Sequence, residues 1–260
     1  MTGHLIVTDE DAIRVITLRQ PGKKNAITQD MYRGMSEAID GAQSNPAIRC
    51  IIITGGLGAF TAGNDLEDFL KDGASNTGAP RASEATRFLY SLAHNAKPII
   101  AAVDGVAAGA GAIIAMAADL RLGTPQAQVS FLFNRVGLAG CDMGACGILP
   151  RIIGQGRATE LLLTGRAMTA QEGEQWGFFN RVVDARSLEG EALALARRIA
   201  SGPTFANGIT KTQLNQEWSM SLDQIIEAEA QAQAICMQTK DFERAYRAFV
   251  AKQKPAFEGN

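Results

Sequence analysis

The feature that most constrains the fold is a glycine-rich turn directly before a run of small apolar residues, at 105–116. The apolar segment 99–103 precedes it, so the predicted order is a strand, a tight turn and the start of a helix. Amides at a helix start have no acceptor within the helix and carry the positive end of its dipole. The alternation G-A-G at 109–111 leaves room for a ligand near the main chain. The stretch predicts either an anion-binding turn or a helix that packs closely on a sheet.

Two further motifs favour the ligand-binding interpretation. A buried strand at 50–53 leads into a glycine-rich loop at 54–66, T-G-G-L-G-A-F-T-A-G-N-D-L, and P-G-K-K-N-A lies at 21–26. With the first motif, these segments resemble the crotonase (enoyl-CoA hydratase/isomerase) superfamily, whose patterns are P-x-x-x-N-A, F-x-A-G-x-D-L and V-x-G-x-A-x-G-x-G. The resemblance continues to residues 248–249 and covers nearly the whole chain.

Composition excludes several classes of protein. The 260 residues, 46% apolar and 20% charged, suit one globular α/β domain, and a net charge of −2 offers no basic field for nucleic acid. No uninterrupted apolar run reaches the roughly 18 residues that a membrane span needs. We therefore expect a soluble, cytoplasmic protein with no nucleic-acid or membrane partner.

The four cysteines match no zinc-binding pattern, and only two histidines are present. We predict reduced thiols and no metal site. Cys141 has the wrong setting for a nucleophile, because its neighbour Asp142 would raise the thiol pKa and no histidine lies nearby in the sequence.

The resemblance implies an α/β fold, a crotonase-like spiral of β-β-α units with two roughly perpendicular sheets. Residues 1–200 would form this core, and residues 201–260 a helical region that covers the site and builds a homotrimer or hexamer. Periodicity and turn residues predict a hairpin of strands 5–7 and 13–18 around a turn at 8–11, and a helix that begins after Thr28. Further along, they predict strands at 119–122 and 129–133, a mobile loop at 71–83, a helix ending near 95, and helices at 209–217 and 222–248.

The resemblance also implies an acyl-CoA thioester as substrate, with coenzyme A as part of that substrate and no permanently bound cofactor. In this family, two backbone N–H groups stabilise the oxyanion at the thioester carbonyl. By motif position these are the amides of Asn64 and Ala110. Losing one such donor typically costs about 3–4 kcal/mol of transition-state stabilisation.

The acid and base groups of the hydratases are missing. The resemblance places one hydratase glutamate at Ile113 and the other at Phe133. Addition of water needs two carboxylates to hold the water and return a proton, so a standard hydratase mechanism lacks its parts. Phe133 favours a cyclic or aromatic acyl group.

Asp142 is the candidate replacement base. It matches the catalytic aspartate of dienoyl-CoA isomerases and the nucleophilic aspartate of 4-chlorobenzoyl-CoA dehalogenase, although the loop at 137–138 is one residue longer here. Apolar neighbours would raise its pKa, whereas pairing with Arg135 would lower it. The alternative role is a cap on the turn that follows. Asp68 lies where some relatives carry an acidic group facing the acyl chain, or else at a solvated helix start.

Several residues match positions that contact coenzyme A in relatives. Lys23 and Lys24 match the pantetheine and adenine loop, Ala62 and Leu66 line the adenine end, and Phe249 and Lys252 meet the nucleotide. Any single lysine of this kind is otherwise a solvated surface residue.

The leading hypothesis is a one-base isomerisation of an acyl-CoA enolate with Asp142 as base. The alternatives are hydrolysis or displacement at the acyl-CoA, an atypical enoyl-CoA hydratase, and a non-catalytic protein that binds CoA thioesters.

Overall fold

The computed structural model describes residues 3–56, 58–68 and 83–260. The described strands are β1 Leu5–Glu10, β2 Ile13–Leu18, β3 Cys50–Thr54, β4 Ala59–Thr61, β5 Ile99–Val103, β6 Val106–Ala108, β7 Leu120–Gly123, β8 Gln128–Ser130, β9 Ala167–Thr169 and β10 Arg181–Val182. The described helices are α1 Gln29–Ser44, α2 Glu84–His94, α3 Ala110–Ala117, α4 Ala145–Ile153, α5 Gln155–Thr164, α6 Ala170–Gln175, α7 Leu188–Ala200, α8 Thr204–Gln216, α9 Leu222–Cys236 and α10 Lys240–Val250.

The strands form two sheets, and from β3 to β8 successive strands alternate between them. The first sheet has the order β1-β2-β3-β5-β7-β10 and the second the order β4-β6-β8-β9. Among the described strands, β1–β2 and β8–β9 pair antiparallel and the other neighbours are parallel. Each turn of chain adds one strand to each sheet, which confirms the predicted spiral of β-β-α units.

The first sheet is buried on both faces, as a largely parallel sheet requires. One face packs into the main core with helices α1, α2 and α3. The other face presents Ile13, Ile52, Ile100 and Leu122, and helix α7 covers it. The carboxyl ends of β3 and β5 lead into the two glycine loops, so the fold places both loops at one edge of the sheet.

The structure confirms the helix that begins after Thr28, whose side chain accepts a hydrogen bond from the Met31 amide. It corrects the hairpin boundary, because residues 8–10 extend β1 and the turn lies at Asp11, which has a φ of 52°. Of the predicted loop at 71–83, residues 71–82 lie outside the described residues. Ser83 caps α2 by accepting from the Thr86 amide.

Two later predictions were wrong in extent. The strand predicted at 129–133 ends at Ser130, and a 3-10 helix, Leu132–Val136, follows it, closed by Gly137 with a φ of 77°. The single helix predicted at 222–248 is two helices. The first ends at Cys236, and Thr239 caps the second by accepting from the Phe242 amide; a capping hydroxyl of this kind starts a new helix.

Helix α8 is fixed to the core, and the chain end is fixed to α10. Lys211 on α8 is buried and pairs with Asp119 at 2.7 Å. The buried carboxylate of Asp241 accepts hydrogen bonds from the amides of Glu258 and Gly259. In the described part of the chain, no helix is both long enough and apolar enough to cross a membrane.

Candidate active site

The first glycine loop, residues 54–66, is held by a short parallel bridge between Asn64 and Ile27, which lies two residues before α1. The Ile27 amide donates to the Gly63 carbonyl, and the Asp65 amide donates to the Ile27 carbonyl, each at 2.8 Å. In a parallel bridge the residue between these two partners directs its own N–H to the opposite side. The Asn64 amide therefore points away from Ile27.

The second glycine loop ends at the first residue of α3. Gly109 has a φ of 52° and donates its amide to the Ser130 carbonyl at 2.8 Å. Ala110 follows as the first helical residue, and no side chain caps the helix. Its N–H has no acceptor within the helix and lies at the positive end of the helix dipole.

The two loops meet main chain against main chain. A Cβ placed on Gly63 would lie 2.7 Å from the Ala108 carbonyl oxygen and 3.5 Å from the Ala110 nitrogen. A Cβ on Gly111 would lie 2.8 Å from the Thr61 carbonyl oxygen. Only glycine permits this approach, so the predicted donors Asn64 and Ala110 stand on adjoining turns. Within residues 3–56, 58–68 and 83–260, neither amide donates to a protein acceptor.

Two buried polar side chains build this junction, and the sequence reasoning gave neither of them a role. Asn25 donates to the carbonyls of Gly55 and Ala59, both at 2.9 Å, and so shapes the first loop. Asp104 accepts from the Gly58 amide at 2.5 Å, which ties the second loop to the first. The motif contains Asn25, and its positive φ of 56° is a conformation that asparagine tolerates. Its spacing in the sequence does not reveal its partners.

Asp142 lies half-buried just before α4. Burial raises the pKa of its carboxyl above the ordinary value of 3.8, against a smaller opposing effect of the Met143 amide. The N-cap of α4 is Gly144, which has a φ of 86°, and no side chain caps that helix. Among the described residues Asp142 forms no ion pair, so neither the cap nor the pairing with Arg135 is found.

Ile113 and Phe133 are both buried in the main core. Ile113 lies in α3, three residues after Ala110, and Phe133 lies in the 3-10 helix that follows β8. Both side chains are hydrocarbon, and they present no acid or base to the site.

The acidic residues after the first loop are engaged in holding it. Asp65 accepts from the Glu67 amide, as a helix cap does, and pairs with Lys23 at 2.8 Å, which lowers the pKa of Asp65. Asp68 accepts from the Gln29 amide at 2.7 Å and so caps α1. In this conformation the Asp68 carboxylate faces the start of α1.

The residues matched to coenzyme A lie in two places. Lys23, which also pairs with Glu67 at 3.0 Å, stands beside Lys24, whose carbonyl accepts from the Ala62 amide at 2.9 Å. Ala62 and Leu66 are exposed, so this rim of the site is open to a ligand. Phe249 and Lys252 lie at the end of α10 and are exposed, with Phe249 at 81%. No hydrogen bond of the described chain connects them to the glycine loops.

All four cysteines are unpaired thiols, and Cys141 is exposed. Burial raises the pKa of the Cys50 thiol to about 12. In the described ranges, no three His, Cys, Asp or Glu side chains gather as metal ligands.

Comparisons with known proteins identify the family of this chain. A family model described as enoyl-CoA hydratase/isomerase matches residues 8–260. The chain belongs to that family. It is 33% identical over 255 residues to 1,2-epoxyphenylacetyl-CoA isomerase of Escherichia coli, covering 96% of each chain. It is 31% identical to 4-chlorobenzoyl coenzyme A dehalogenase-2 of an Arthrobacter species, covering 88% of this chain and 83% of the relative.

A solved enoyl-CoA hydratase structure from Polaromonas sp. superimposes with a TM-score of 0.91 at 29% identity, over 98% of this chain and all of the other. The relatives thus carry the names of isomerase, dehalogenase and hydratase on one fold. Membership of the enoyl-CoA hydratase/isomerase family therefore fixes the class of protein and leaves the reaction to the residues of this site.

Proposed function

We propose that this protein is an enzyme that binds an acyl-CoA thioester with its carbonyl oxygen at the amides of Asn64 and Ala110. The observation that carries the proposal is the main-chain contact at Gly63, which brings the two turns together with both N–H groups unused by the described protein. Fixed backbone donors stabilise the negative charge that develops on the thioester oxygen when an enolate forms, and they need no reorganisation.

Asp142 is the proposed general base. A half-buried carboxylate with a raised pKa is a stronger base than a solvated one, and its side chain is committed to no cap or ion pair among the described residues. It would take a proton from a carbon of the acyl group, leaving the electron pair in the enolate. Returning the same proton to another carbon of the enolate shifts the double bond. The reaction is then an isomerisation with one base.

The hydratase alternative is less favoured because Ile113 and Phe133 occupy the places that the family resemblance assigns to the two glutamates. The displacement alternative draws support from the likeness to a 4-chlorobenzoyl coenzyme A dehalogenase. In that reaction the Asp142 carboxylate would act as nucleophile instead of base. A non-catalytic protein that binds CoA thioesters would use the amides of Asn64 and Ala110 to hold the thioester, and Asp142 would have no catalytic role.

The proposed acyl group is aromatic or cyclic. Phe133 supports this choice, and so do the names of two relatives, 1,2-epoxyphenylacetyl-CoA isomerase and 4-chlorobenzoyl coenzyme A dehalogenase, since both refer to aromatic thioesters. The coenzyme A moiety would lie along the rim formed by Lys23, Lys24, Ala62 and Leu66.

We also propose a homotrimer or hexamer in which residues 201–260 take part in assembly. Helices α9 and α10 leave large apolar side chains exposed to a degree that is unusual for an isolated surface. They include Leu222, Ile226, Ile235, Met237, Phe242 and Tyr246. In such an assembly, Phe249 and Lys252 would meet coenzyme A.

A screen of acyl-CoA thioesters by mass spectrometry tests the reaction class. It should detect an isomer of the substrate, whereas water addition would favour the hydratase alternative and free CoA the hydrolase. Binding with no product would leave the non-catalytic reading.

On the substrate found, Asp142→Asn should lower turnover by about 10²–10⁴-fold while thioester affinity stays within about threefold. The melting temperature should not fall, because burial disfavours the charge that the substitution removes. Near-normal turnover would remove Asp142 from the mechanism.

A further inference from the structure

Tyr32 connects helix α1 to the first glycine loop through a hydrogen bond between side chains. Its hydroxyl donates to Asn64 Oδ1 at 2.7 Å. The ring is only 1% exposed and packs at an angle on Phe88, with 5.7 Å between ring centroids. Because the ring is enclosed, the hydroxyl has a fixed position, and so does the amide group that it holds.

This hydrogen bond completes a clamp on one side of Asn64. The bridge to Ile27 uses the Gly63 carbonyl and the Asp65 amide, and Tyr32 holds the Asn64 side chain. The peptide between Gly63 and Asn64 carries the proposed oxyanion donor, and rotation of that peptide would turn the N–H away from the thioester. The clamp holds this N–H on the side away from Ile27.

The Tyr32 phenol is also held in its protonated form. Burial, and to a lesser degree the charge of the Asp142 carboxylate, raise the pKa of the Tyr32 phenol far above its usual value. Tyr32 therefore keeps its proton at any working pH and remains a hydrogen-bond donor to Asn64. No family motif in the sequence includes this tyrosine.

We propose that Tyr32 is a positioning residue, whose hydroxyl orients the Asn64 peptide so that its N–H points at the thioester oxygen. The inference rests on the proposed function, since it assumes that the Asn64 amide is an oxyanion donor. Misplacing a reacting group by about 1 Å can cost up to about 100-fold in rate.

The test compares the wild-type protein with Tyr32→Phe, Asn64→Ala and the double variant. Asn64→Ala keeps the backbone donor and removes only the acceptor of the tyrosine. Ser36→Ala is the matched control, because Ser36 is a fully buried hydroxyl on the same helix that donates to the Tyr32 carbonyl at 3.0 Å and touches neither loop by a described hydrogen bond. The probe is 4-dimethylaminocinnamoyl-CoA, whose absorption moves to longer wavelength when its carbonyl is polarised.

We expect a red shift with the wild-type protein and with Ser36→Ala, and a smaller one with Tyr32→Phe and with Asn64→Ala. Turnover of the identified substrate should fall about 10- to 100-fold in both of these variants with KM within about threefold. The double variant should be no worse than either single one, since all three lack the same hydrogen bond.

An unchanged red shift and turnover in Tyr32→Phe would overturn the role of Tyr32 and leave the proposed oxyanion site standing. An equal loss in Ser36→Ala would also overturn it, because the effect would then come from helix packing. No red shift in the wild-type complex would instead refute the oxyanion proposal, and the inference would fail with it.

Discussion

Gly63→Ala is the sharpest test of the contact between the two glycine loops. Gly63 has a φ of 95°, and its Cβ would lie 2.7 Å from the Ala108 carbonyl oxygen, well inside the 3.4 Å at which ordinary contact begins. Gly58 is the matched control, since its φ is 91° and its Cβ would meet nothing within 4 Å. Both substitutions store backbone strain of about 1–3 kcal/mol, but only Gly63→Ala adds a clash.

The clash requires the Gly63 and Ala108 segments to separate by about 0.7 Å, the difference between the 3.4 Å contact and the 2.7 Å position. Overpacking of this kind costs about 1–3 kcal/mol, so the free energy of unfolding from urea titration should be lower for Gly63→Ala than for Gly58→Ala by about that amount. Because Asn64 and Ala110 follow these segments, their N–H groups should also move apart.

Turnover of the identified acyl-CoA should therefore fall about 10- to 100-fold further in Gly63→Ala than in Gly58→Ala. Steady-state kinetics with urea unfolding of both variants measures the two effects. Turnover of Gly63→Ala within twofold of Gly58→Ala would refute the claim that this contact sets the distance between the donors.

Three other outcomes are expected. The value of kcat/KM should rise with pH as Asp142 ionises, and the midpoint of this rise should lie above pH 3.8 because burial raises the pKa of Asp142. A midpoint at or below pH 3.8 in a pH-rate profile would contradict this role. Crotonyl-CoA should be hydrated weakly or not at all, and Ile113→Glu should not create a hydratase because Phe133 still supplies no second carboxylate. Hydration is measured by the loss of enoyl absorbance, and a rate on the order of 10³ per second would show that other groups replace the two hydratase glutamates. Lys211→Met should lower the free energy of unfolding by about 3 kcal/mol, since it leaves Asp119 without its partner; a loss under about 1 kcal/mol in urea titration would mean that water replaces the lysine.

The family and the fold class could be predicted from the sequence because the motifs that carry the resemblance are local patterns, whereas the assignment of the two donors to Asn64 and Ala110 stays a prediction. A glycine before a small-residue run and a strand before a glycine loop are readable without tertiary contacts. Thr28 was predicted as a cap for the same reason, since its hydroxyl acts within one turn of helix.

Contacts between distant segments could not be predicted from the sequence. Tyr32 and Asn64 are far apart in the chain, and a tyrosine on the buried face of a helix has no pattern that distinguishes a site residue from a core residue. Asp142 left two roles open because a carboxylate before a helix fits both a cap and a base. In the structure Gly144 occupies the N-cap of α4, and no capping bond from the Asp142 side chain to that helix is found among the described residues.

The order of strands in the first sheet has a consequence for synthesis on the ribosome. Each strand after β1 pairs with a strand already made, so the sheet can grow from its N-terminal edge as the chain emerges. The face that carries Ile52, Ile100 and Leu122 must wait for α7, whose last residue is Ala200. Until α7 has been synthesised, this apolar sheet face is exposed. Such a surface binds chaperones and favours aggregation. Substitutions that delay α7 should therefore lower the yield of folded protein more than its final stability.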